Sequence, residues 1–204
     1  YSFCIIDSQS LLKLNDAGLE QLAEGFYNDT YLMDQNACSS PHLIVWLGEG
    51  IEIAKEKFWS AIYSTVSEKY NLEEVNAIDK YTLLCKNSIE LNNISSFSNH
   101  NNFIYRISIN ELPDNTDELR GKCGYFYEYD AGDIGDIAHI INPKYQTLTY
   151  FGVDRSSLLD FVVKNRLSGI DRIVPVGRSL DIEVIWDGFD IVKCRACSHV
   201  FVLN

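Results

Sequence analysis

The sequence predicts an α/β domain, a three-layer sandwich with a mostly parallel sheet, and three observations predict it. The chain has 204 residues with 46% apolar content, enough for one ordinary core. Its first half carries apolar stripes at helical spacing. In its second half, runs that alternate with period two are separated by runs with period 3.6, the order that packs helices over a parallel sheet.

Asn15 or Asp16 is a suitable N-cap, and Leu19, Leu22, Ala23 and Phe26 follow at helical spacing. A β-run from His42 to Leu47 comes after Pro41. Ile51, Ala54, Phe58, Ala61, Ile62 and Val66 form one stripe of a helix over 50–70, and Val75, Ile78, Thr82, Cys85 and Ile89 form that of a helix over 72–91. A short turn joins these two, so they are expected to be neighbours. The Asn- and Ser-rich stretch 92–102 has no period and reads as a surface loop. Phe103, Tyr105, Ile107 and Ile109 alternate with polar residues as a strand with one buried face. Beyond them the pattern predicts a strand over 123–129, a helix over 133–141, a strand over 146–151 and a helix over 156–167 capped by Ser156 or Ser157. Short strands over 173–176 and 183–186, then a longer one over 191–203, finish the chain. No internal repeat or heptad pattern is present.

Seventeen basic and 29 acidic residues leave a net charge of −12. With no basic stripe, the chain is not expected to bind nucleic acid. No stretch has the ~18 apolar residues of a membrane span, and the opening segment does not read as a signal peptide, so a cytoplasmic location is expected. The sole methionine is Met33, and the chain is expected to be part of a longer one.

Six cysteines are present: Cys4, Cys38, Cys85, Cys123, Cys194 and Cys197. A chain this rich in apolar residues does not need disulfide staples, and reduced thiols are expected. Cys194, Cys197 and His199 offer a lone C-x-x-C with a histidine, but no second ligand pair stands at zinc-site spacing. No metal site is expected, and these cysteines read as small apolar residues of a strand.

The segment from Asp34 to His42, Asp-Gln-Asn-Ala-Cys-Ser-Ser-Pro-His, is a polar turn of small residues between an amphipathic helix and a buried strand. Exposed backbone amides in such a turn can lower a thiol pKa and stabilise an oxyanion. A small residue in a tight turn is the competing reading, and spacing alone does not separate the two.

The stretch DQNACSSPHLIVWLG resembles the nucleophile region of the LuxC-type long-chain acyl-CoA reductases, a branch of the aldehyde dehydrogenase superfamily. GIDRIVPVGRSLDIEVIWDGFDIV, from Gly169 to Val192, is similar to the C-terminal signature of the same family. Between them, residues 121–152 follow the superfamily's order of strand, helix and strand. The resemblance implies an aldehyde dehydrogenase-like catalytic domain over 1–204, with the nucleotide-binding domain largely outside this chain. It implies that Cys38 is the nucleophile, attacking an acyl-CoA thioester to form an acyl-enzyme that NADPH reduces to a fatty aldehyde. The Cys38 amide would be one oxyanion donor. A second donor, the general base and most NADPH contacts would lie in the other domain, and this fragment alone would be inactive. The superfamily's ribose-binding glutamate pattern has no counterpart near Arg120 to Gly124. A homo-oligomer and acyl-transferring or acyl-activating partner enzymes are further implications.

Other residues invite roles. His42 could form a Cys/His pair with Cys38, although it begins a strand after a proline. His100 is expected to be solvated, His139 to lie on a helix surface, and Arg178 with Trp186 and Asp187 to close the fold. The alternative to an enzyme is an acidic α/β interaction module that assembles through its C-terminal edge strand.

Overall fold

The computed structural model describes residues 1–181 and two short strands, β8 (Ile185–Trp186) and β9 (Phe189–Asp190), which pair with each other. The main sheet has seven strands: β1 (Ser2–Asp7), β2 (Pro41–Leu47), β3 (Ile94–His100), β4 (Ile104–Ile109), β5 (Tyr125–Asp130), β6 (Thr147–Phe151) and β7 (Arg172–Pro175). Their order is β3-β4-β5-β2-β1-β6-β7. Every neighbouring pair is parallel except β3 with β4.

The central strands are buried on both faces and alternate between two cores. Phe3, Ile5, Leu43, Val45 and Leu148 face one side, where Leu83 and Leu84 of α4 (Glu74–Glu90), the 3-10 helix Ile134–Ile140 and α5 (Arg155–Lys164) pack. Cys4, Ile6, Ile44, Trp46 and Phe126 face the other, under α1 (Ser8–Leu12), α2 (Asp16–Thr30) and α3 (Ile51–Lys69). The three-layer arrangement that the alternation predicts is therefore present.

On the second face a buried carboxylate ties the layers together. Glu128 of β5 accepts from the indole N–H of Trp46 at 2.9 Å and of Trp59 at 2.7 Å, and from Nε of Arg106 at 3.0 Å. Charge-assisted bonds of this kind offset the cost of burying the carboxylate.

Several elements depart from the sequence pattern. β1 is a strand that period-two reasoning does not mark: it lies between β2 and β6, and a strand covered on both faces reads as a continuous apolar run. The expected loop 92–102 contains β3, whose polar side chains are exposed at the sheet edge, so its pairing comes from backbone hydrogen bonds and leaves no apolar period. The α4 stripe is reversed: Val75, Ile78, Cys85 and Ile89 face solvent, while Lys80 and Asn87 are buried. Asn87 earns that place by donating to the Tyr125 and Tyr127 hydroxyls at 2.8 and 2.6 Å. Consequently α3 and α4 are not packed neighbours but lie on opposite faces of the sheet. Within the expected helix over 133–141, Ile134–Ile140 form a 3-10 helix under an Asp133–Asp136 capping box. α5 starts at Arg155 and is capped by Asp154, which accepts from the Ser157 N–H at 3.0 Å, rather than by either serine. Asn15 caps α2 as expected, accepting from Gly18 N–H at 2.9 Å. The expected strand 191–203, with Cys194, Cys197 and His199, lies outside the described residues.

Candidate active site around Cys38

Cys38 sits in the turn between α2 and β2, at the amino ends of the parallel strands. Open α/β sheets usually bind ligands at the carboxyl ends, so this turn must be built by other means. Two successive non-glycine residues, Asp34 (φ 52°) and Gln35 (φ 59°), adopt left-handed conformations, a sparsely populated state that persists only where surrounding contacts hold it.

Those contacts are dense. The Gln35 side chain is buried, donates to the carbonyls of Pro41 and Tyr125 at 3.0 Å each, and accepts from the N–H groups of Gly124 and Tyr125 at 3.1 Å each. One amide thereby fixes the turn to the starts of β2 and β5. Ser2 Oγ donates to the Cys38 carbonyl at 2.7 Å, Ser40 Oγ to the Asp29 carbonyl at 2.8 Å, and the Tyr70 hydroxyl to Asp34 at 2.6 Å. Cys123 N–H donates to the Asp34 carbonyl at 3.1 Å. Next to it, Gly124 has φ 87°, and a Cβ there would stand 2.1 Å from the Phe103 carbonyl oxygen, so only glycine fits.

Held this way, Cys38 is exposed, and among the described residues its own N–H has no acceptor. The remaining described thiols differ. Cys4 is buried and its thiol is pushed up to about 12 by that burial. Cys123 is buried and likewise raised. Cys85 is exposed, but on the outer side of α4.

His42 does not form the Cys/His pair. Its ring is buried, stacked on Tyr1 with centroids 5.5 Å apart, and set against the Gly121 backbone rather than bonded to Cys38. Burial, with the nearby Arg120 guanidinium, pushes its pKa down to about 3, so it is neutral and has no charge with which to hold a thiolate. His100 is not fully solvated: it is half-buried on β3 with its ring 5.5 Å from that of Tyr63. His139 is exposed, within 3.0 Å of the Leu112 carbonyl. Arg178 pairs with Asp181, a local tie within the segment after β7. Trp186 falls in β8, and Asp187 lies outside the described residues.

Gln35, Lys80 and Asp29 are the positioning groups that sequence reasoning missed. Lys80 is buried on α4 and donates to the carbonyls of Asn102, Phe103 and Cys123, the last at 2.8 Å. Desolvation brings its pKa down to about 8. Asp29 accepts from the N–H groups of Gly177 at 2.7 Å and Ser179 at 2.9 Å, tying α2 to the segment after β7. Only Gln35 carried a hint, as a polar residue inside the Cys38 motif.

Among the described residues there is no cluster of three metal-ligating side chains and no helix long and apolar enough to cross a membrane. No family model and no curated protein matches the sequence. Solved structures do. 1-Pyrroline-5-carboxylate dehydrogenase from Thermus with bound NAD superposes with a TM-score of 0.52 at 13% identity, covering 93% of this chain and 38% of that one. Aldehyde dehydrogenase 21 from Physcomitrella patens, in complex with the reaction product succinate, gives 0.54 at 11% identity over 90% and 39%. The aldehyde dehydrogenase KauB from Pseudomonas aeruginosa gives 0.53 at 10% identity over 89% and 38%. The chain thus spans about two fifths of the length of these structures, and over that span it has the fold they share, the mixed α/β fold of the aldehyde dehydrogenases.

Proposed function

We propose that the chain is the thiol-bearing part of an aldehyde dehydrogenase-like oxidoreductase, and within that class of a LuxC-type acyl-CoA reductase. The observation that carries this reading is Cys38 itself: an exposed thiol on a strained, fully braced turn, with a free backbone N–H beside it, in a chain with the aldehyde dehydrogenase fold.

The Cys38 sulfur, deprotonated, adds to the thioester carbonyl of an acyl-CoA. The carbonyl electron pair moves to oxygen, and the Cys38 N–H donates to the oxyanion. Collapse breaks the bond to the coenzyme A sulfur, which leaves as a thiolate, and the acyl group stays on Cys38. NADPH, when bound, supplies the hydride that takes this acyl group to the aldehyde. The cleft next to the Cys38 turn measures about 230 Å³, room for one phosphate or ribose rather than a whole dinucleotide. The remaining dinucleotide contacts, the second oxyanion donor and the general base are therefore assigned to a nucleotide-binding domain outside this chain. Strand-to-strand assembly through a sheet edge is compatible with the same reading, because β3 at one edge is exposed.

Rapid mixing of the intact protein with a long-chain acyl-CoA, without NADPH, tests it. One equivalent of free coenzyme A should appear in a burst with the wild type and none with Cys38→Ala. An equal burst from the variant would refute the assignment.

A further inference from the structure

The turn from Arg120 to Gly124 lies against the Cys38 turn, and the cleft between them is lined by Gln35, Asn36, His42, Arg120, Gly121 and Lys122. Its charge is opposite to that of the molecule. In a chain of net charge −12, Arg120 and Lys122 are exposed at this cleft, and among the described residues neither has an acidic partner. The nearby acids are engaged elsewhere: Asp117 pairs with Lys144 at 2.5 Å, and Asp34 accepts from the Tyr70 hydroxyl at 2.6 Å. Asp79 lines the adjoining cleft together with Arg120 and Lys122, within ion-pair distance of neither. A third group marks the same place. His42 is 2% exposed, lines the cleft, and has one ring nitrogen against the Gly121 backbone and the other without a hydrogen-bond partner. Buried ring nitrogens are ordinarily satisfied, and one left over at a cleft wall points to a polar ligand there, whose charge the two unpaired cations set as negative.

We infer that the cleft between Arg120, Lys122 and His42 is an anion subsite that takes a phosphate group of a coenzyme, holding that coenzyme beside Cys38. Arg120 and Lys122 supply the charge, and the second ring nitrogen of His42 lies at the same wall. That the phosphate belongs to a coenzyme rests on the proposed function, whereas the anion site rests on the cleft alone. Two coenzymes of that reaction carry such groups, and the site discriminates them by geometry that a binding experiment reads directly.

Calorimetric titration of the intact protein with inorganic pyrophosphate, coenzyme A, NADPH and NADH at low salt tests the subsite. The proteins compared are the wild type, an Arg120→Ala/Lys122→Ala double variant, and Cys38→Ala. Both cations are exposed and without ion-pair partners, so the double variant should keep the wild-type melting temperature. Pyrophosphate should bind the wild type and Cys38→Ala alike and bind the double variant at least ten-fold more weakly. Retention in Cys38→Ala keeps this test separate from that of the nucleophile. A ten-fold loss for coenzyme A identifies it as the source of the phosphate. A ten-fold loss for NADPH but not NADH identifies the dinucleotide phosphate. Equal affinities of wild type and double variant for pyrophosphate and both coenzymes, or no pyrophosphate binding at all, would overturn the inference.

Discussion

Two buried polar groups of this molecule lie in opposite situations. Glu128, inside the α1–α3 face, has both carboxylate oxygens satisfied by Trp46, Trp59 and Arg106. His42, at the amino ends of the strands, is nearly as buried but has only the Gly121 backbone against one nitrogen and nothing on the other. A saturated group stabilises a structure, because removing any partner leaves others orphaned. An unsatisfied one at a cleft wall is a destabilised feature that the surrounding fold sustains. The contrast separates a part of the protein that holds its shape from the part we propose to meet a coenzyme.

The largest test of that contrast is Glu128→Ala, which leaves the buried Arg106 guanidinium with Glu56 alone at 3.4 Å and orphans two indole N–H groups. It should destabilise the protein by about 3–5 kcal/mol in urea denaturation, and a loss below ~1 kcal/mol would mean that the network is not a keystone. Gln35→Ala comes next. It orphans the carbonyls of Pro41 and Tyr125 and two N–H groups, and should cost about 3 kcal/mol after water repairs some of them. It should also slow acylation of Cys38 roughly 10- to 100-fold, because the turn is no longer fixed relative to β2 and β5. Unaltered acylation would show that the bracing has no bearing on reactivity.

Asp29 gives a smaller, pH-dependent effect. Burial pushes its pKa up to about 6 in the folded chain, above the ~3.9 of an unfolded aspartate. The folded state therefore keeps a proton that the unfolded state loses. Its contribution is fully present below about pH 4 and is lost as pH rises through about 6, by about 2–3 kcal/mol. The difference in unfolding free energy between wild type and Asp29→Asn, followed across that window, should change by this amount, with no change if Asp29 titrates normally. The smallest effect is expected of His42→Phe, which removes one unsatisfied nitrogen and one contact with the Gly121 backbone and keeps the stacked ring. Stability should change by less than ~1 kcal/mol, while pyrophosphate binding weakens. A loss above ~2 kcal/mol would place His42 with Glu128 as a structural group.

The same contrast explains what the sequence disclosed. Central α/β architecture was legible because Leu43, Val45 and Leu148 and their neighbours must be apolar in a sheet covered on both sides. β1 escaped notice for that very reason, since it has no alternation. β3 escaped for the reverse reason, being polar and held by backbone pairing at an edge. The α4 stripe misled because tertiary hydrogen bonds of Lys80 and Asn87 outweighed its apolar period. At the site, the turn that carries Cys38 was legible through its small polar residues between a helix and a strand. The bracing by Gln35 and the cleft between Cys38 and Arg120 join segments more than 80 residues apart, and no local pattern carries such a contact.

The central claim is that Cys38 is the acyl-accepting thiol, and Cys85, the other exposed cysteine of the described chain, is its internal control. Peptide mapping of the intact protein after brief exposure to a long-chain acyl-CoA should find one hydroxylamine-labile acyl group, on the peptide containing Cys38. An acyl group on Cys85 in equal measure, or none on Cys38, would contradict the account.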